Sequence, residues 1–192
     1  MAIEVELKAW VDEPQALARL LETRFRFAGS YLKEDRYYRI QSDAGKPAVE
    51  FRLRREGEGW IVTSKEKAIQ DGVEVNREHE FGVSDGDSFD RFARHIGAKL
   101  FITKAKRGKR FRDESLGSEG VTIELSEVEG LGWFVEIECL VDPDRAEEVP
   151  KARERVRGLL ATLGVGERLV EPRYYIDMLA ELAAGKKLER PR

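Results

Sequence analysis

Apolar and polar residues alternate by two from the start of the chain, where Ile3, Val5 and Leu7 interleave with Glu4, Glu6 and Lys8. In an extended strand this period sends the two carboxylates and the ammonium to one face and the aliphatic side chains to the other. Similar strand patterns predict strands over 25–29, 33–41, 48–56, 59–67, 73–82, 98–106, 109–114, 120–128 and 132–141. Turn signals separate many of them: Asp43-Ala44-Gly45-Lys46-Pro47, Glu56-Gly57-Glu58-Gly59, Asp71-Gly72 and Glu129-Gly130-Leu131. Short connections of this kind imply antiparallel pairing. Helical spacing occurs in four places. Asp12-Glu13-Pro14 starts a helix striped by Leu17, Leu20 and Leu21, and Phe89, Phe92, Ala93 and Ile96 form a second stripe ending at Gly97. A third helix is predicted over 145–163, with Val149, Val156 and Leu160 facing a core, and a short one over 174–184. Residues 1–184 read as one domain and 185–192 as a polar tail that frays.

A long antiparallel sheet hides its edges by closing on itself. If the charged faces point inward, the apolar faces point outward and the helices cover them. The predicted class is α+β: a closed antiparallel β-barrel or tunnel with a polar lumen, covered by outer helices.

Composition narrows the chemistry. The 192 residues are 37% charged yet carry a net charge of only −3, which gives no general reason to expect nucleic-acid or membrane binding. A single cysteine, Cys139, excludes an intramolecular disulfide and a cysteine-cluster metal site. No apolar run approaches a membrane span and no signal-peptide profile precedes the first strand, so a cytoplasmic location is expected.

The charges themselves are segregated by sign. Arg52 and Arg54, Lys65 and Lys67, Glu78 and Glu80, Lys104 and Lys106, and Glu136 and Glu138 are all like-charged pairs two residues apart. Such pairs lie about 7 Å apart on one strand face and repel by about 2 kcal/mol at an effective dielectric near 20. Repeated in strand after strand, they suit a ligand that is both cationic and anionic, such as a metal-bound polyphosphate. Glu4, Glu6, Glu124, Glu136 and Glu138 are the candidate metal carboxylates, the hard oxygen donors that Mg²⁺ takes. Lys8, Arg52, Arg54, Lys65, Lys67, Lys104, Lys106 and Arg110 are the candidate phosphate cations. His79 lies between two inward glutamates and should face outward, and Cys139 shares the outward face of Ile137 and Val141. Trp60 and Trp133 begin strands just after turns and read as rim packing, with base stacking as the alternative.

Taken in order, Glu4-x-Glu6-x-Lys8, Arg52-x-Arg54, Lys65-x-Lys67, Glu78-x-Glu80 and the run from Glu124 to Glu138 resemble the CYTH superfamily, the triphosphate tunnel metalloenzymes. The resemblance spans residues 3 to about 180 and implies an eight-stranded antiparallel tunnel that binds a triphosphate with Mg²⁺ or Mn²⁺. It implies metal at Glu4, Glu6, Glu124, Glu136 and Glu138, and phosphates at Lys8, Arg52, Arg54, Lys65 and Lys104 or Lys106. Catalysis would centre on Lys8, Glu4, Glu6 and Glu138. The segment Val128 to Glu138, with Tyr174-Tyr175-Ile176-Asp177, looks most like the class IV adenylyl cyclase branch, which implies conversion of ATP to cyclic AMP and pyrophosphate in a homodimer. Inorganic or thiamine triphosphatase chemistry is the alternative, and noncatalytic polyphosphate or nucleotide binding a third reading.

Overall fold

A computed structural model describes residues 2–41, 47–114 and 120–191. Nine strands are present among them: β1 (Ile3–Trp10), β2 (Arg26–Gln41), β3 (Pro47–Glu56), β4 (Gly59–Glu66), β5 (Ile69–Gln70), β6 (Val73–Val83), β7 (Lys99–Asp113), β8 (Val121–Val128) and β9 (Gly132–Val141). Their order is β1-β9-β8-β7-β2-β3-β4-β6, with every neighbouring pair antiparallel, and β1 also pairs with β6. That last pairing closes an eight-stranded barrel. The two-residue β5 lies outside the circuit, paired only with β6.

Four helices cover the barrel: α1 (Pro14–Arg24), α2 (Gly86–His95), α3 (Val149–Thr162) and α4 (Tyr175–Ala183). The outward aliphatics of β1, β8 and β9 pack with Leu17 and Leu21 of α1 and Val149, Val156 and Leu160 of α3 in one core. On the opposite wall Tyr38, Leu53 and Val62 pack with Ala93 of α2. The Asp85 carboxylate caps α2 by accepting from the backbone N–H of Asp87 and Ser88, at 3.0 and 3.1 Å. Met178 and Tyr175 of α4 pack with Trp10, Val128 and Phe134 at the end of the barrel where β1 finishes. Cys139 is buried in the outer core, as its alternation requires.

The structure joins what the sequence pattern divides. Segments 25–29 and 33–41 form the single strand β2, and 98–106 and 109–114 the single strand β7. A bulge between Phe27 and Gly29 absorbs the break in alternation of β2, with Gly29 at a φ of 126°. Gly108 reads as a turn residue but pairs on both sides, with Tyr31 of β2 and Ser126 of β8. The expected helix over 145–163 is a 3-10 segment, Pro143–Glu148, followed by α3, because Arg145 has non-helical backbone angles. The turn expected at 43–47 lies, apart from Pro47, outside the described residues, as does Arg192 of the tail. The tail itself is tethered: Leu188 packs against the α4 cluster and Arg190 bonds Asp12 at 2.8 Å.

Gly108 is required by proximity. A Cβ there would lie 2.7 Å from the Ser126 Cβ and closer still to the Leu125 carbonyl oxygen, which is backbone and cannot move aside. Gly108→Ala should therefore destabilise the protein by about 1 to 3 kcal/mol, read as a lowered urea midpoint with an unchanged slope.

Candidate active site

The inward faces enclose a cavity of about 680 Å³. β1 and β9 are neighbours, and their register sets Glu6 beside Glu138 and Lys8 beside Glu136. One carboxylate oxygen from each of Glu4, Glu6 and Glu138 falls within 4.8 Å of the others. Glu4 has partners: its Oε2 accepts from the Lys65 Nζ at 2.6 Å and the Asn76 amide at 3.3 Å. Burial would raise its pKa, but the Lys65 charge and these bonds outweigh burial and bring it down to about 2. Glu6 and Glu138 receive no hydrogen bond or ion pair among the described residues. Burial, with repulsion from Glu136 and Glu4, holds Glu6 well above the usual carboxylate range. Burial, with repulsion from Glu4 and Glu124, pushes Glu138 up to about 7. Three hard oxygen donors this close, two of them in no ion pair among the described residues, fit a divalent ion such as Mg²⁺ or Mn²⁺.

The other two carboxylates expected at the metal lie outside this triad and are held by cations. Glu124 accepts from Lys33 and Arg110, each at 2.9 Å, from Lys106 at 2.7 Å and from the Tyr31 hydroxyl at 2.7 Å. Lys106 also reaches Glu136 at 2.5 Å, and the Tyr175 hydroxyl donates to Glu136 at 2.7 Å. Lys8 is buried behind the cavity wall, paired with Glu74, with its ammonium 5.2 Å from the Tyr175 ring centroid. Arg54 makes a two-pronged contact with Asp35 at 2.7 and 3.0 Å, and Lys104 bonds the same carboxylate at 3.0 Å. Lys67 pairs with Glu50 near Tyr174. Arg52 donates to Thr63 at 2.8 Å and to Glu80 at 3.4 Å, while its buried Nε has no acceptor. Arg52 lines the cavity, so its guanidinium, charged and incompletely paired, can turn toward an anion oxygen there.

Sequence reasoning overlooked Lys33, Asp35, Glu74 and Asn76. The signal was present. Lys33 and Asp35 fall in step with inward Tyr37, and Glu74 and Asn76 extend the Glu78-x-Glu80 row backward by twos. Trp60 packs on the outer face against Gly86 and the Phe51 cluster, and Trp133 packs against the outer core, so neither indole faces the lumen. His79 is exposed, 4.0 Å from Glu66.

A model of the CYTH domain matches residues 2–175. The chain belongs to the CYTH domain family. A curated relative from Methanocaldococcus jannaschii, provisionally named an adenylate cyclase, is 25% identical over 178 residues, covering 92% of this chain and 98% of its own. A solved structure from Pyrococcus horikoshii OT3 is 29% identical, with a TM-score of 0.79 over 93% of this chain and 99% of that one. A Hippeastrum protein provisionally named an adenylyl cyclase, and described as revealing a dominant triphosphatase activity, has the same fold. It is 20% identical, with a TM-score of 0.63 over 98% of each chain. CYTH proteins are in general metal-dependent and take triphosphates such as ATP, and the carboxylate cluster of this member accords with that. Among the described residues no helix is long and apolar enough to cross a membrane.

Two predictions follow from the charge pairing. Asp35→Asn would leave Arg54 and Lys104 facing each other in a buried site, so it should lower unfolding free energy by about 3 to 5 kcal/mol in denaturant titration. The second concerns pH. A carboxyl raised from 4.5 to about 7, as at Glu138, favours the folded state below pH 4.5 and withdraws that contribution as pH climbs through 7. The depressed groups Glu4, Glu124 and Asp35 lose their contribution only as pH falls below the ordinary carboxylate range. Lys33, lowered to about 8 by burial and Lys106, acts only above this window. Metal-free protein should therefore lose thermal stability between about pH 4.5 and pH 7, and Mg²⁺ should restore it at the upper end.

Proposed function

We propose that this CYTH protein is a metal-dependent enzyme of triphosphate chemistry, of class IV adenylyl cyclase type, converting ATP to 3′,5′-cyclic AMP and pyrophosphate. The observation that carries the reading is that the Glu4, Glu6 and Glu138 triad and the incompletely paired Arg52 line one cavity. The volume of about 680 Å³ is in the range of clefts that hold whole small molecules, and so has room for a nucleoside beyond its phosphate tail.

In this reading Glu4, Glu6 and Glu138 hold Mg²⁺ or Mn²⁺. The bound ion would lower the pKa of the attacking hydroxyl and neutralise phosphate charge. Arg52, Lys65 and Lys106 are the cations that take the phosphate oxygens and hold the leaving pyrophosphate in line. Lys33 and Arg110 reach the same region through Glu124. Arg54 and Lys104, committed to Asp35, set the field of the wall and keep the tail in register. Lys8 orients Glu74 and the tyrosines behind the site. A cyclase must bring the ribose 3′-oxygen within about 3 to 3.5 Å of the α-phosphorus, so it needs contacts to the nucleoside as well as the tail.

A second reading, hydrolysis of inorganic or organic triphosphates, is favoured by one observation. Trp60 and Trp133 lie outside the lumen and Trp10 is packed under α4 and bonded to Glu171, so no indole lines the cavity to stack on a base, while a water attacking the terminal phosphorus needs only the polar lining.

Product chromatography after incubation with Mg²⁺ or Mn²⁺ and either ATP or tripolyphosphate separates the two. The expected result is cyclic AMP and pyrophosphate from ATP, slow turnover of tripolyphosphate, and loss of all activity in EDTA and in Glu6→Gln. ADP and orthophosphate without cyclic product, with tripolyphosphate consumed at least as fast, would replace the cyclase reading by the triphosphatase one.

A further inference from the structure

We propose that Lys65 is an exchangeable counter-ion: it neutralises the carboxylate triad while no metal is bound and is handed to the triphosphate once metal replaces it. The inference rests on the metal and triphosphate reading above and adds an order to it.

The cavity is not positively charged as it stands. Its lining carries ten carboxylates against eight lysines and arginines, and with Glu6 held protonated and Glu138 half-ionised near pH 7 the two signs about balance, so an anionic triphosphate meets no surplus of positive charge. The cations are largely occupied as well. Lys106 bridges Glu124 and Glu136, Arg54 and Lys104 share Asp35, and Lys33 and Arg110 share Glu124. A triphosphate can gain these groups only if something else satisfies their carboxylates.

Lys65 occupies a distinctive position in this network. Its ammonium pairs with Glu4 at 2.6 Å and with Glu78. Glu4 is a member of the triad, and among the described residues it is the one member with a cationic partner. Lys106 also bridges two carboxylates, but neither belongs to the triad. Lys65 and a divalent ion at the triad therefore compete for the same carboxylate, and two positive charges within a few ångströms repel strongly in a partly desolvated site. The side chain has somewhere to go. On β4, Lys65 is two residues from Thr63, on the same inward row, and Thr63 accepts from Arg52, whose Nε lacks an acceptor. A phosphate oxygen between Lys65 and Arg52 would satisfy both. In the metal-free state the lysine is charged: burial disfavours it, but Glu4 and Glu78 hold its pKa above the ordinary lysine value.

The consequence is reciprocal coupling, in which metal tightens triphosphate binding and triphosphate tightens metal binding by the same factor. The test is calorimetric titration of EDTA-stripped protein with Mg²⁺ alone, then of Mg²⁺-loaded protein with tripolyphosphate, with folding checked by circular dichroism. Removing the competitor should help one ligand and harm the other. Lys65→Gln is expected to bind Mg²⁺ about tenfold more tightly than wild type and, when loaded, tripolyphosphate about tenfold more weakly. Lys65→Arg, which keeps the charge, should retain wild-type Mg²⁺ affinity. Lys106→Gln should weaken tripolyphosphate without a comparable gain for Mg²⁺. Unchanged or weaker Mg²⁺ binding in Lys65→Gln, or an equal gain in Lys106→Gln, overturns the exchange and leaves the metal reading standing. Absence of Mg²⁺ binding by the wild type overturns both.

Discussion

Everything in this protein depends on keeping a dense set of ionised side chains inside a closed barrel. Charged groups are expensive to desolvate, and a buried pair contributes little net stability even when it is well formed. The tolerance comes from outside the lumen, where alternation gives each inward charge two outward neighbours, and these supply the aliphatic cores under α1, α2 and α3. The sheet thus carries two unrelated jobs on its two faces. Within the lumen the accounting is uneven. Asp35 is fully satisfied by Arg54 and Lys104, while Glu6 and Glu138 stand against like charges. That unevenness sets this lumen apart from a solvated strand face, because carboxyls displaced from their ordinary pKa in a cleft cluster at functional sites.

Much of this was legible from the period of two. The inward rows on β1, β3, β4 and β9 follow directly from alternation, and closure follows from the need to hide sheet edges. Legibility failed where the period was interrupted. Gly29 and Gly108 look like turn residues in one dimension, yet one sits at a bulge and the other at a close strand approach. Lys33 and Asp35 were hidden because Glu34 and Arg36 put charge on the other face too, so the segment Lys33-Glu34-Asp35-Arg36 shows no alternation to fix its phase. The partition of the carboxylates was also unreadable. Glu124 and Glu136 match Glu138 in residue type and facing. Which of them forms an ion pair with a lysine and which is left without one depends on how strands distant in sequence meet across the lumen, as Lys106 of β7 meets Glu136 of β9.

The C-terminal segment is bound more tightly to the site than its polar composition suggests. Val170 bridges Ala9, and the Glu171 backbone N–H donates to the Lys8 carbonyl at 2.9 Å. The buried Glu171 carboxylate accepts from Trp10 at 3.0 Å and from Arg173 at 2.7 and 2.8 Å. These contacts fix where α4 begins, and so where Tyr174 and Tyr175 stand over the end of the cavity. Tyr175 then bonds Glu136, and the aromatic ring shields Lys8 and Lys104 from water.

The circuit of the sheet also has a meaning in time. β1 precedes the other eight strands in the chain, but its two neighbours are β6 and β9, so one edge of it waits until the rest of the barrel has been made. Long-range pairing of this kind is slow because the chain entropy of the loop is lost before the contact is gained. Glu4 and Glu6 meet Glu138 only when β9 docks on β1. A chain that lacks β9 therefore cannot bring the three carboxylates together, and the cluster is assembled only with the closure of the barrel.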